Sequence, residues 1–414
     1  MAGEDKGSGM KGLSLFVGII LLLAGAAAVF YAAYKVSYVS VDYGIHVNIV
    51  RELDWSDPVR LLKEHPEPVW HLLVRAAMYL GGFSAEKAAG LVSGGLCALT
   101  YLLAAHFIYR DKDAALSVPA AALAALVLSL VSAIYVPWFN RTPYLGQGSP
   151  NPWHNPTTIM VRPIGLLVFL LVMGVCMRAK KAGFRKGSLL HWGEGLSIAV
   201  LLLLSNLSKP SFVQIFYPSI FVLMFLWLFL CRFRNFPLGM QLLVCCLPSV
   251  ALMGAQFISA FYGNTNSESA GVVIAPFKVA GLYTDNIAVS TLLVLAFPVL
   301  AALCSMIRRT FSWTDAFAWF MLLVGMAEKF LLAEGGSRMA HGNFSWGYIL
   351  GVYYVWFTAV RSYALWGKDL RTPGQDRNGG LSLTGFLLCG IILLAHLISG
   401  IYYLYYLIVL GNGI

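Results

Sequence analysis

Long apolar runs alternate with short polar segments along most of the chain. A helix that crosses the hydrocarbon core of a bilayer needs about 20 mostly apolar residues. On that scale the pattern predicts about eleven transmembrane helices, at residues 12–36, 86–109, 115–137, 161–178, 190–207, 210–231, 237–262, 288–307, 312–333, 346–367 and 381–409. We therefore expect an all-α polytopic membrane protein, in which residues 1–414 form a single transmembrane domain.

Residues 67–82 are apolar on one side but too short to cross, and they carry Arg75 near their centre. Because an arginine at the bilayer centre costs roughly 2.5 to 3.5 kcal/mol, this stretch is predicted to be an amphipathic surface helix. The positive-inside rule then places the basic loops and the N-terminus in the cytoplasm. Four longer polar segments face outward, at residues 37–87, 138–162, 263–287 and 334–345.

Composition narrows the class of protein. Hydrophobic residues make up 59% of the sequence and charged residues only 12%, which excludes a soluble protein. The net charge is +10, but the basic residues are dispersed between apolar runs, so we expect no nucleic-acid partner. Most cysteines fall inside apolar runs, so neither a disulfide framework nor a metal site is expected. Short basic loops are typical of a bacterial plasma-membrane protein.

The first outer segment brings carboxylates and imidazoles together. Asp42 follows the first apolar run, and His46 lies one helical turn later on the same face. Glu67 and His71 are likewise one turn apart, at the start of the predicted surface helix. One interpretation is a helix cap by Asp42 beside a solvated His46, and the other is a general base.

Cations and prolines mark the later outer segments. Prolines between residues 146 and 163 predict a stiff loop without regular helix. Arg162, Lys209, Arg338, His154 and His341 could converge on one anion, and a phosphate or diphosphate on a lipid carrier fits because its tail can stay among the helices. The alternative for Lys209 is that its amine extends to lipid headgroups.

The first 165 residues resemble the GT-C superfamily of polytopic glycosyltransferases. The resemblance lies in a first span, a large outer loop with an acidic residue near its start in "VDYGIH" (residues 41–46), and surface helices before the second span. It implies a polyprenyl-phosphate or polyprenyl-diphosphate sugar donor, a glycan or lipid-linked acceptor and an active site on the outer face. Transfer to the acceptor hydroxyl would invert the anomeric carbon.

The resemblance also implies roles for particular residues. Asp42 would be the base, positioned by His46. The donor phosphate would be bound by Arg162, Lys209, Arg338 and His341. Sugar or acceptor would be bound by Glu67, His71, Asn151, Trp153, His154, Asn155, Glu334 and Asn343. Family members often carry paired acids, whereas Tyr43 and Gly44 follow Asp42 here. No metal ligands are assigned, and a divalent metal lacks a paired acidic motif to bind it.

Other functions share part of this pattern. A polysaccharide polymerase or ligase acting on a lipid-linked oligosaccharide would show the same polar outer loops. A transporter of lipid-linked glycan would use charges near the bilayer midplane. The candidates Glu328 and Lys329 lie nearer the outer end of their span and could instead form an intrahelical or interhelical pair. A scaffold that only binds lipid-linked glycan is a further alternative. Membrane lipids are expected partners in every case.

Overall fold

The structure is a computed structural model, and it describes residues 2–52, 56–57, 61–62, 65–110, 116–262, 269–371 and 379–411. Within those ranges the chain is mostly helical, with one short sheet. The helices are α1 (Ala2–Val36), α2 (Val41–Glu52), α3 (Val69–Gly81), α4 (Ala85–Tyr109), α5 (Val118–Leu130), α6 (Pro156–Lys181), α7 (Trp192–Ser208), α8 (Ser211–Leu230), α9 (Phe236–Tyr262), α10 (Lys278–Tyr283), α11 (Ile287–Ile307), α12 (Trp313–Leu331), α13 (Ser345–Asp369) and α14 (Gly379–Ile408). The strands are β1 (Ser269–Ile274) and β2 (Leu332–Gly336).

Seven of the described helices are long and apolar enough to cross a membrane. They cover Gly12–Val36, Ala85–Tyr109, Pro156–Lys181, Ser211–Leu230, Phe236–Ile258, Ile287–Ile307 and Ser382–Ile408. The chain is therefore an integral membrane protein, as predicted, although the count of eleven spans is not confirmed. Of the other four predicted spans, two correspond to the shorter apolar helices α5 and α7, and two to the less apolar α12 and α13.

Helix α13 lies at the centre of the bundle. Its residues 347–360 are all buried, and α12 packs against it over most of its length. A Cβ atom added to Gly351 would lie 2.7 Å from the Cα of Leu322, and one added to Gly325 would lie 2.6 Å from the backbone nitrogen of Tyr348. Small residues thus let the two backbones touch, as they do in membrane helix pairs.

The predicted span at 115–137 is wrong in its second half. Helix α5 ends at Leu130, and residues 131–136 continue without regular secondary structure. The freed groups find partners inside the protein: Ser132 N donates to His396 O at 3.2 Å, and Ile134 N donates to Leu293 O at 2.9 Å. Non-helical backbone is tolerated in a membrane domain only when it is satisfied in this way.

Helix α6 begins inside the stretch that its prolines had predicted to be non-helical. Pro156 occupies the first turn, where no intrahelical donor is needed, and the Asn155 side chain caps the helix by accepting from Thr158 N at 3.0 Å. Pro163 lies within the helix. The polar loop before residue 156 is irregular, as predicted.

The outer segments contain two further features that the sequence did not predict. Strands β1 and β2 pair antiparallel, with Val272 opposite Glu334, so the predicted third and fourth outer segments are joined by a sheet that the all-α prediction did not include. The predicted surface helix is present as α3, with Arg75 exposed. Its Trp70 is completely buried, because it packs against α2 and α4 and donates to Ser93 Oγ at 3.1 Å.

Candidate functional site

A cavity of about 190 Å³ opens at one end of the bundle. It lies between the start of α2, the loop of residues 144–154, α10, the end of α12 and the start of α13. The polar and aromatic residues that line it are Asp42, Tyr144, His154, Tyr283, Lys329, His341, Ser345, Trp346 and Tyr348. Three residues predicted from separate outer segments, Asp42, His154 and His341, therefore meet in one cavity.

Asp42 is held on one wall of this cavity by the cap of α6. Asn155 Nδ2 donates to Asp42 Oδ2 at 3.0 Å, while Asn155 Oδ1 accepts from Thr158 N. One asparagine thus starts α6 and orients the carboxylate. Burial raises the pKa of Asp42 above its ordinary value, and the hydrogen bond from Asn155 and the charge of Lys209 oppose that shift.

Lys209, at the end of α7, lies directly behind this carboxylate wall. It is 5% exposed, and its Nζ donates to Thr157 Oγ1 at 2.8 Å and to Asn155 Oδ1 at 3.3 Å. Glu67 lies near the same Thr157 and near Lys209. Burial lowers the pKa of Lys209, while Glu67 and Asp42 raise it. The lysine predicted to bind phosphate is thus a buried cation that the charges of two nearby carboxylates stabilise, although none of the ion pairs among the described residues includes it.

His46 has a partner other than the predicted one. Its Nδ1 lies 2.9 Å from His71 Nε2, and both rings contact Trp70 edge-on. His46 therefore pairs with His71, and Asp42 with Asn155. Burial lowers the pKa of His46 to about 3 and that of His71 to about 4. Both imidazoles are neutral at physiological pH, so one nitrogen of the pair donates and the other accepts.

His154 reaches the cavity as predicted. Its Nδ1 lies 2.9 Å from Tyr403 Oη, and its ring meets the ring of Tyr144 edge-on at 4.4 Å between centroids. Burial lowers the pKa of His154 to about 3. A neutral imidazole fixed in this way offers a hydrogen bond to a substrate hydroxyl but no positive charge to a phosphate.

Three predicted binding residues lie behind the cavity wall instead. Asn151 Nδ2 donates to the carbonyl groups of Leu128 and Val131, where α5 ends, and its Oδ1 accepts from Arg162 at 2.6 Å. Arg162 is buried with its guanidinium 4.5 Å from the ring centroid of Tyr353. Trp153 is 2% exposed and belongs to the apolar core. The structure therefore does not place Asn151, Trp153 or Arg162, for which sugar and phosphate contacts were predicted, in the lining of the cavity.

A second polar cluster adjoins the cavity without lining it. Arg338 Nε lies 3.2 Å from Glu334 Oε2, and Asn343 Nδ2 donates to the same carboxylate oxygen at 3.1 Å. Arg338 is thus engaged by Glu334 rather than directed at the site. These three predicted residues hold the turn between β2 and α13, and of the site residues predicted in that segment only His341 lines the cavity.

Lys329 is a cavity residue that the sequence did not assign to the site. It is 8% exposed, and its Nζ lies 3.9 Å from the ring centroid of Tyr348 and 3.5 Å from Gly146 O. Glu328 points elsewhere, and its Oε2 is buried without a hydrogen-bond partner in the described part of the chain. A lysine beside a glutamate in an apolar run suggested an ion pair, which the structure does not form.

Among the described residues, no three His, Cys, Asp or Glu side chains are placed to hold a metal ion. Whether the protein uses a divalent metal is not decided by this observation, and the absence of assigned metal ligands stays a prediction.

Comparison with known proteins gives similarity to solved structures. No family model matches the sequence, and no curated protein matches it. A solved structure that is similar is the archaeal oligosaccharyltransferase AglB from Archaeoglobus fulgidus, in complex with an inhibitory peptide and a dolichol-phosphate. The identity is 12%, the TM-score is 0.46, and the similarity covers 95% of this chain and 56% of that chain. This chain thus spans little more than half the length of that protein, and a similarity of this degree does not assign a reaction to it.

Proposed function

We propose that the chain is a membrane glycosyltransferase that moves a sugar from a polyprenyl-phosphate or polyprenyl-diphosphate carrier to an acceptor hydroxyl in cell-envelope glycan assembly. The observation that supports this most is the cavity, which gathers a carboxylate, a neutral imidazole, a lysine and aromatic rings at one end of an apolar helix bundle. A sugar needs hydroxyl partners and apolar ring faces, and a lipid phosphate needs a cation. The cavity offers all of these.

The cavity would lie on the extracytoplasmic side of a bacterial plasma membrane. Helix α6 starts beside the cavity at Asn155 and ends at Arg178, Lys180 and Lys181. Because short basic loops stay in the cytoplasm, the start of α6 faces outward. A carrier lipid could then place its tail against the apolar helices and its headgroup in the cavity.

Asp42 would act as the general base. The acceptor hydroxyl gives its proton to Asp42 while its oxygen forms a bond to the anomeric carbon. The bond from that carbon to the phosphate oxygen breaks, and its electron pair leaves with the phosphate. Burial raises the pKa of Asp42, which brings the carboxylate closer to the operating pH that suits a base. Direct displacement inverts the anomeric configuration.

The aromatic residues and His154 would hold the sugar. Tyr144 and Trp346 present ring surfaces to the cavity, and aromatic rings pack well against the apolar face of a pyranose or furanose. The neutral imidazole of His154 lies between them and offers a hydrogen bond. These residues take over the role that sequence reasoning had given to Trp153.

Substitution of Asp42 by Asn tests the proposal. The full-length protein, in vesicles with a panel of polyprenyl-phosphate sugars and glycan acceptors, is expected to lose roughly 100-fold to 10,000-fold of its transfer rate. The matched control is Glu86→Gln, which removes an exposed carboxylate paired with Arg51 and should leave the rate unchanged. Retention of full transfer activity by Asp42→Asn would contradict the assignment, and uptake of lipid-linked glycan without a covalent product would favour transport.

A further inference from the structure

Lys329 is a buried cation that faces the cavity without an acidic partner. None of the ion pairs in the described part of the chain includes it. In the described part of the chain it makes a long hydrogen bond to the carbonyl of Gly146, at 3.5 Å, and lies over the rings of Tyr348 and Phe330. Desolvating a charge is costly unless a counter-charge is supplied, so an anion in the cavity would be strongly favoured.

The start of α13 adds a second source of positive potential at the same place. Ser345, Trp346 and Tyr348 of its first turn line the cavity, and no side chain caps the helix. The positive end of a helix of 25 residues favours negative charge. Lys329, which comes from a different helix, is directed at the same corner, so two independent features converge there.

The carboxylate of the cavity does not neutralise this corner. Among the described lining residues, Asp42 is the one acid, and it is hydrogen-bonded to Asn155 and balanced by Lys209. Glu334 borders the adjoining cluster and is engaged by Arg338 and Asn343. The cavity therefore has an acidic wall and a separate cationic corner.

We propose that Lys329 and the first turn of α13 bind the phosphate group of the lipid-linked donor. The inference rests on the proposed function and names the anchor of its leaving group. Lys329 would neutralise the phosphate in the bound donor and the charge that develops as the bond to the sugar breaks. It takes the place that the sequence had suggested for Arg162, Lys209 and Arg338, all of which have internal partners.

A binding assay without transfer tests the inference. Equilibrium binding of radiolabelled farnesyl phosphate to the detergent-solubilised full chain is compared with binding of farnesol, which lacks the phosphate. Lys329→Gln is expected to weaken farnesyl phosphate binding roughly tenfold to a hundredfold, the usual value of a hydrogen bond to a charged group, and to leave farnesol binding unchanged. Lys329→Arg keeps the charge and should lose less. Lys278→Gln, an exposed cation of α10 outside the cavity, is the matched control.

Two other arms complete the test. Inorganic phosphate should compete with farnesyl phosphate only weakly if the site is built for a lipid headgroup, and as well as the lipid if the site takes free phosphate. In the wild-type protein, farnesyl phosphate but not farnesol should protect Lys329 from an amine-acylating reagent, read by mass spectrometry. Equal binding of farnesyl phosphate by Lys329→Gln and wild type, or equal acylation with and without it, would overturn the inference.

The outcome is separable from that of the transferase proposal. Asp42→Asn should bind farnesyl phosphate normally. If that variant also transfers sugar normally while Lys329→Gln loses binding, the phosphate site stands and the assignment of the base fails.

Discussion

Two buried lysines lie at the cavity end of the bundle, and their surroundings differ. Lys209 donates to Thr157 and Asn155 and lies over the ring of Trp346, and its charge is balanced by the carboxylates of Asp42 and Glu67. Lys329 lies over the ring of Tyr348 at the cavity, and no carboxylate of the described chain interacts with its charge. Residue type therefore does not reveal which lysine is structural. The difference lies in whether the protein or a ligand supplies the counter-charge.

The largest effect is expected for substitution of Lys209, the lysine whose charge the protein itself balances. Lys209→Met should destabilise the protein by about 3 to 5 kcal/mol, because it leaves Asp42 and Glu67 without their shared cation. The measurement is thermal unfolding of the detergent-solubilised protein. Lys329→Met, which leaves no carboxylate orphaned, is the matched comparison and should cost much less.

A double variant sharpens that result. Glu67→Gln in the Lys209→Met background should recover part of the lost stability, since it removes one of the two uncompensated carboxylates. Equal unfolding temperatures for Lys209→Met and Lys329→Met would show that the two lysines are not different in the way described.

The next largest effect is expected for the imidazole pair of His46 and His71. The folded-state pKa values of His46 and His71, about 3 and about 4, lie below the ordinary value of 6.5. The unfolded chain therefore binds more protons than the folded chain as pH falls below 6.5, and stability should fall by up to about 1.4 kcal/mol per pH unit for each histidine. Unfolding temperatures between pH 7 and pH 5 measure this loss.

A substitution assigns the pH effect to the pair. His71→Gln should make the stability profile flatter, because it removes one group that the fold keeps neutral. His106→Gln, at an exposed position of α4, should leave the profile unchanged. A wild-type profile that is flat over the same range would argue against the neutral pair.

The smallest effect is expected for Asn155, which caps α6 and donates a hydrogen bond to the proposed base, Asp42. Asn155→Ser keeps a capping oxygen but is too short to donate to Asp42, so stability should change by only a few tenths of a kcal/mol while transfer falls about tenfold. Because the lost hydrogen bond lowers the pKa of Asp42, its loss should raise that pKa further. Transfer needs the ionised base, so the acidic limb of the pH–rate profile should move to higher pH.

Asn155→Ala provides the contrast, since it loses both the cap and the donor and should cost about 1 kcal/mol more stability. Unaltered transfer by Asn155→Ser would mean that Asn155 does not orient Asp42.

Local patterns in the sequence predicted the parts of the molecule that depend on local chemistry. Apolar runs identified the seven membrane-crossing helices, and the short amphipathic stretch identified α3. Asp42, His154 and His341 were predicted to share a site because each follows or precedes an apolar run on the same side. The structure brings these three together in the cavity.

The sequence did not show which polar side chains are hydrogen-bonded to residues far away in the chain. Asn151 was predicted to contact a sugar, yet its amide nitrogen donates to two carbonyl groups where α5 ends. Arg162 looked available for a phosphate, yet it contacts Asn151 and Tyr353. Lys329 was considered only as a transport residue, near the outer end of its span and with Glu328 as a possible partner. Which polar groups are already satisfied depends on residues far away in the chain, and no local pattern contains that information.

The contact of α12 with α13 at Gly325 and Gly351 also bears on how related proteins could diversify. A larger side chain at either glycine would drive the two backbones apart and separate Lys329 from Tyr348. Adaptation to a sugar of another size is therefore expected to avoid this helix pair. Variation should concentrate at lining side chains of other elements, such as Leu145 and Tyr283, and not at Gly146, whose φ of +89° and contact with the Tyr283 carbonyl leave no room for a Cβ atom.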